Sequence, residues 1–478
     1  MSKAEVTISE AIKVKLPLRE CLIGEPHFYK KVALVVIPMI IQNTLSNVVG
    51  LLDNVMVGQV GTLAMSAVAI VNQLMFVYML CVWGALAGAG IFGTQYFGKR
   101  DFEGVRFTMR FKMIVALVIT FLAMMIFLVA GEGLINLYIA KDTPLADAEQ
   151  TLKLAREYLL IMLIGIIPFG ITQVYAGTIR ESGKTTLPMI ASMSAMVINF
   201  IFNLLLIFGY LGFPKLGVIG AAIATVISRF VECAIVCIKG HINHVDYSFL
   251  EGLYSNFHVP VSLVWPIMTK SLPLLANEFL WSLAQATLLQ SYSIRGIEVI
   301  AAMNIANTIA QIFNEVFLSL GNSSSIIVGQ ELGAEHYLDA RKYAWRMASL
   351  SVASCIIMGT LLNLVAPVIP QVYNTEPEIK ALATEFIRVV ALVMPLNAFA
   401  NVSYFILRSG GKTMITFLFD SCFSWLVSVT AARILAGYTT MPVQTVYLCV
   451  CSLEFIKCTI GFILVNKGVW VKNIVKKA

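Results

Sequence analysis

The sequence predicts an all-α membrane protein: twelve transmembrane helices in two pseudo-symmetric six-helix lobes, a 6+6 parallel repeat around a central cleft. Three observations carry that expectation. Of 478 residues, 58% are hydrophobic and 13% are charged, with a mean hydropathy of +0.83, whereas soluble chains are about a quarter charged. So much apolar surface cannot be hidden in a water-soluble core and must face lipid. Long apolar runs recur along the whole chain, and the second six echo the first six position by position.

Each run reaches the roughly 20 apolar residues that a helix needs to cross hydrocarbon. The first set lies near 32–57, 63–91, 108–131, 155–179, 186–209 and 217–238. The second lies near 269–292, 297–328, 346–370, 380–407, 413–436 and 442–466. No polar, Gly/Ser-rich or Pro-rich linker divides them. The expected organisation is a cytosolic tail over 1–31, an N-lobe over 32–238, a cytosolic linker over 239–268, a C-lobe over 269–466 and a basic cytosolic tail over 467–478. The opening MSKAEVTISEAIKVKLPLRE is charged and lacks an apolar h-region, so no cleaved signal peptide is expected.

Lysines and arginines set the orientation. With both termini inside, the cytosolic segments hold 23 of the 34 Lys and Arg residues. That is a strong positive-inside bias. It accounts for the formal net charge of +7 without a nucleic-acid partner. The nine cysteines (Cys21, Cys81, Cys233, Cys237, Cys355, Cys422, Cys449, Cys451, Cys458) form no CxxC pair and read as free buried thiols. The five histidines (His27, His241, His244, His258, His336) fall in polar segments without metal-ligand spacing.

The internal repeat carries the most information. A shift of 235 aligns Pro38 with Pro273, Gly61 with Gly296, Asn72 with Asn307, Gln95 with Gln330, Gly98 with Gly333 and Arg106 with Arg341. After a gap, a shift of 228 pairs Glu157 with Glu385, Arg180 with Arg408 and Gly183–Lys184–Thr185 with Gly411–Lys412–Thr413. Six spans per half insert both halves the same way round, the parallel-repeat plan of secondary transporters, which work by rocking between two openings. No GxxxxGK[ST] loop and no soluble nucleotide domain is present in the sequence, which leaves an ion gradient as the energy source.

Ionisable groups inside a membrane cost roughly 2.5–3.5 kcal/mol each, so each invites a reason. Asp53 in the outer part of span one reads as a proton or sodium carrier, or else as a helix-end carboxylate facing water. Asn199 and Asn203 stand four apart on one face of span five, able to ligate a cation or to hydrogen-bond Asp53. They could equally be interhelical glue. Thr225 in span six adds a hydroxyl among small residues. In the second half, Glu278 and Glu315 are candidates for a cationic substrate or coupling ion. Asp420, Arg229/Glu232 and Glu454/Lys457 read as structural, the last two as self-neutralising pairs three apart.

The run from Pro38 through LLDNVMVGQVG to GTQYFGKRD, with VGQELGAEH and the paired RESGKT and RSGGKT turns, resembles the multidrug and toxic compound extrusion family over essentially the whole chain. The resemblance implies a proline-bent first helix at Pro38 with a coupling carboxylate at Asp53. It also implies an N-lobe network to which Asn199 and Thr225 fit, with Asn203 where some branches carry aspartate. One branch places its span-seven glutamate a turn beyond Glu278, where Trp281 stands here. Asn397 replaces that branch's span-ten aspartate, so the N-lobe is the expected coupling site.

The expected activity is therefore antiport. Amphipathic, cationic organic compounds would leave in exchange for H+ or Na+, with Asp53 a metal ligand only if sodium is the ion. The implied setting is a bacterial inner (plasma) membrane, with a monomer in contact with membrane lipid and no cofactor beyond the coupling ion. The alternative is a flippase for a lipid-linked saccharide or peptidoglycan precursor, which calls for several arginines against a pyrophosphate. Arg229 and Arg388 are the arginines placed mid-membrane. A receptor or intramembrane enzyme is disfavoured, because HExxH, GxSxG and paired-aspartate motifs are absent from the sequence.

Overall fold

The computed structural model describes residues 7–14, 16–139, 144–243 and 245–476. His244, the first six residues of the N-terminal tail, Lys15 and the last two residues of the C-terminal tail lie outside them. Among the described residues there are twelve long helical rods and no strand. The first six are α1 (Pro26–Gly58), α2 (Thr62–Lys99), α3 (Phe102–Asn136), α4 (Leu145–Glu181), α5 (Thr186–Phe208) and α6 (Val218–Ile242). The second six are α7 (Val261–Ser293), α8 (Ile297–Gly333), α9 (Tyr337–Val365), α10 (Pro377–Ser409), α11 (Thr413–Tyr438) and α12 (Val443–Asn466).

Local chemistry sets many of the boundaries. Pro144 precedes α4 and Pro377 opens α10, where a missing N–H costs nothing. Gly209 closes α5 at φ +77°, a conformation that a side chain resists. Most rods outrun the apolar stretches because polar ends continue the helix beyond hydrocarbon. Spans five and twelve keep within one residue of the expected bounds, and span nine falls short at its C-terminal end. Its helix ends at Val365, short of the expected 370, and a 3-10 turn over Ile369–Val372 follows.

Ten of the rods are long and apolar enough to cross a membrane on composition alone. The other two, α7 and α8, have the length at 33 and 37 residues but carry more polar groups. Asn277 and Glu278 lie on α7. Asn304, Asn307, Asn314, Glu315 and Asn322 lie on α8. Such residues call for partners inside protein rather than lipid.

The chain divides into two compact units, one of Ile41–Gly93 and Phe102–Val264, the other of Met1–Ile40, Thr94–Asp101 and Trp265–Ala478. In the first, α3 packs on α4, and α6 packs on both α4 and α5. In the second, α10 is the hub that meets α8, α9 and α12. The division departs from the expected 32–238 boundary in two places. Helix α1 changes unit three residues past Pro38, at Ile40–Ile41. The end of α2 belongs with α8 because a Cβ at Gly98 would strike the backbone of Gln330 and one at Gly333 that of Gln95. These are the glycines and glutamines that the repeat pairs.

Among the described residues, both terminal segments pack on the helices. Short helices at Ile8–Lys13 and Leu18–Leu22 dock on α9, where Arg341 donates to the carbonyls of Ala11, Ile12 and Val14. Past α12, Trp470 and Val475 are buried, and Gln95 bonds to Lys472 O and Ile474 N at 3.1 and 2.8 Å.

Candidate functional site

The polar residues of the first unit converge on Asp53, half-buried near the C-terminal end of α1. Asn203 Nδ2 on α5 donates to Asp53 Oδ1 at 2.6 Å and reaches Asn199 Oδ1, one turn earlier, at 3.1 Å. Asn199 Nδ2 continues to Thr225 Oγ1 on α6 at 3.3 Å, and the Thr225 hydroxyl donates to Ala221 O at 3.0 Å. Four sequence candidates from three helices thus form one chain. The i, i+4 spacing puts both amides on one face of α5. That face is internal, with Asn199 at 5% and Asn203 at 1% exposure.

Two features mark the surroundings of the carboxylate. Asn203 Oδ1 is buried without a hydrogen-bond partner, an acceptor standing beside Asp53. The Asn199 amide lies 3.0 and 3.2 Å from the two Asp53 oxygens, and its nitrogen turned toward them donates to both.

Deeper in the same unit a second set forms. Gln42 Nε2 donates to Ser192 Oγ at 2.7 Å, Ser192 bonds to Glu232, and Arg180 reaches Gln42 Oε1 at 3.2 Å. This corrects the reading of Arg229 and Glu232 as a self-neutralising pair. Glu232 is taken by the serine of α5, while Arg229 lies over the Phe169 ring at 5.3 Å with Nη1 lacking a hydrogen-bond partner. Spacing on one helix brings two side chains within reach but says nothing about competitors on neighbouring helices.

In the second unit, Glu278 is half-buried on α7 with Arg408 and Asp420 as charged neighbours. Glu315 on α8 and Asn397 on α10 are half-buried. The polar network around Glu278 runs through residues read as structural. Lys457 Nζ lies 2.7 Å from Asp420 Oδ1 and 3.7 Å from Glu454 Oε2, so its nearer partner is not the one on its own helix. Asn277, adjacent to Glu278, donates to Asp420 Oδ2 at 3.1 Å. A lysine within an apolar run was the available signal. Pro38 sits inside α1 fifteen residues before Asp53 and is half-buried. The cysteines are free, but Cys355 and Cys458 alone are buried and Cys449 is exposed. In a membrane helix, an apolar run is as much lipid-facing surface as core.

The MatE family model matches residues 38–205 and 273–434. The two segments open on Pro38 and Pro273, the first pair of the repeat. A probable multidrug resistance protein NorM of Bacillus cereus is 26% identical over 411 residues, covering 86% of this chain and 88% of that one. The Thermotoga maritima protein of the same name is 22% identical over 460 residues, covering 94% and 95%. Among solved structures, a Vibrio cholerae MATE transporter superposes with TM-score 0.83 at 16% identity, covering 94% and 98%. A MOP superfamily transporter from Pyrococcus furiosus gives 0.80 at 18% identity, covering 96% and 100%. At these identities the structural likeness speaks to fold.

Proposed function

Since the chain belongs to the MatE family, we propose that it is a secondary active antiporter that exports amphipathic, cationic organic compounds in exchange for H+ or Na+. Its relatives' names support multidrug extrusion, and its apolar rods make it a multi-pass membrane protein. The proposed orientation puts both termini in the cytosol of a bacterial cell, following the positive-inside bias.

One observation carries the coupling mechanism: a half-buried carboxylate on α1 held by an amide of α5 whose own oxygen has no hydrogen-bond partner. Deprotonated, Asp53 offers a negative charge to a cationic substrate or to a coupling ion, with Asn203 Oδ1 as a further ligand. When the ion binds, that charge is cancelled and the substrate loses its electrostatic partner. The change at Asp53 on α1 is felt first at Asn203 of α5, its hydrogen-bond partner, and next at Asn199 and Thr225. Pro38, which lacks a backbone N–H, is the point where α1 can bend. Rigid movement of the two repeats then gives alternating access.

The test is efflux of a cationic dye from vesicles under imposed pH or sodium gradients, for the wild type and Asp53→Asn. Gradient-driven efflux is expected in the wild type and is expected to vanish in the variant at equal folded yield. Unchanged efflux by Asp53→Asn would remove that residue from the mechanism. Failure of every cationic dye, with lipid-linked saccharide accumulating on deletion, would instead favour a flippase.

A further inference from the structure

The last turns of α6 carry two thiols that the coupling scheme above does not use. Cys233 and Cys237 stand four apart on one face of the helix, with their Sγ atoms 4.0 Å from each other. Both are free and half-buried, and α6 ends shortly after them at Ile242. In the orientation proposed above this end faces the cytosol, a compartment that keeps thiols reduced.

An independent observation points to the same place. Thr172 on α4 is 2% exposed, its hydroxyl has no hydrogen-bond partner, and it faces the Cys233 sulfur. A buried hydroxyl left unpaired is costly. A thiol is a poor acceptor for it, whereas a thiolate is a charged and therefore strong one. Arg229, four residues before Cys233 on α6, leaves a buried Nη1 unpartnered. A negative charge one turn further along the helix is one that it offsets. Glu232, Tyr175 and Tyr254 are the other ionisable groups facing the pair, and Glu232 is taken by Ser192.

Coordination number selects the ion. Among the described residues no group of three His, Cys, Asp or Glu side chains gathers for a metal. His241, one turn past Cys237, is held elsewhere: its Nε2 lies 2.9 Å from the Tyr175 hydroxyl, which also bonds to the Tyr254 hydroxyl of the linker. Structural zinc takes four protein ligands, and calcium and magnesium take oxygens. Soft monovalent ions favour thiolates and are content with two or three of them. With thiolate–metal bonds of roughly 2.3 Å, one ion spans the 4.0 Å gap at an angle of about 120°.

We propose that Cys233 and Cys237 hold one soft monovalent metal ion of the Cu(I) class as a pair of thiolates, with the Thr172 hydroxyl donating to Cys233. Binding forms two metal–sulfur bonds and releases two thiol protons to solvent, and no electron moves. The site is separate from Asp53 and goes beyond the coupling scheme proposed for that residue.

The test titrates the full chain, purified reduced in detergent under argon, against Cu(I) held by the coloured chelator bathocuproine. The wild type is expected to withdraw one equivalent of Cu(I) that Cys233→Ser and Cys237→Ser each fail to withdraw. Cys449→Ser, which removes an exposed thiol elsewhere, is expected to match the wild type. Thr172→Val is expected to weaken binding by roughly tenfold, the loss of one hydrogen bond to a charged group. Zinc is expected to bind the wild type at least about a hundredfold more weakly than Cu(I). Because the serine variants put folding at risk, a second measurement uses the wild type alone. One equivalent of Cu(I) is expected to slow iodoacetamide labelling of both residues, read by peptide mass spectrometry, by about tenfold or more. The proposal is overturned if Cu(I) leaves both labelling rates unchanged, if the folded Cys233→Ser/Cys237→Ser chain keeps the full equivalent, or if zinc binds as tightly as Cu(I). None of these results bears on whether Asp53 couples efflux, which the dye experiment decides separately.

Discussion

Asn203 holds Asp53 with one 2.6 Å hydrogen bond and keeps its own oxygen unpartnered beside it. A hydrogen bond to a charged group contributes about 1.5–3 kcal/mol, which is roughly a ten- to hundredfold change in an equilibrium constant. Asn203→Leu removes both the donor and the acceptor. It is expected to raise the sodium or proton concentration that half-saturates efflux by about that factor, with folded yield near that of the wild type. An unchanged half-saturation point would mean that Asn203 only glues α5 to α1. At this scale the sequence was legible wherever one helix supplies the geometry. Asn199 and Asn203 share a face by spacing alone, and Asp53 stands out as a charge in an apolar run. It was illegible wherever partners come from other helices. Nothing local says that Ser192 takes Glu232 or that Lys457 prefers Asp420 to Glu454.

Twelve rods were readable from hydropathy because a helix is the only open-ended structure that satisfies its backbone in lipid. Their ends were less so, since polar turns extend most of them past the apolar core. The packing of α2 against α8 shows what pattern reading can reach. The shift of 235 paired Gly98 with Gly333 and Gln95 with Gln330, and the structure crosses each glycine against the other's glutamine. The repeat is realised as a local two-fold contact. A side chain at either glycine must push backbone apart, so Gly98→Val and Gly333→Val are each expected to cut folded yield severely and lower the melting temperature. Gly133 on α3 has nothing within 4 Å of its Cβ position. Gly133→Ala is therefore expected to leave stability unchanged or raise it by up to about 1 kcal/mol, the helix preference of alanine over glycine. Thermal melting in detergent checks all three. Equal melting temperatures for the four proteins would show that the crossing is not a close contact.

For the whole molecule, the number of ions sets what can drive export. Exchanging one monovalent substrate cation for one proton or sodium ion moves no net charge, so a membrane potential by itself does nothing. A cycle that takes in two ions for each substrate cation would carry two charges inward for one outward. Each net charge crossing 100 mV is worth about 2.3 kcal/mol, roughly a fiftyfold concentration ratio. Vesicles given a potassium diffusion potential, with equal pH and sodium on both sides, are therefore expected to move a monocationic dye in the wild type. Asp53→Asn is expected to lose the response to potential and to ion gradients alike. A wild type that ignores the potential while responding to ion gradients would fix the exchange at one for one.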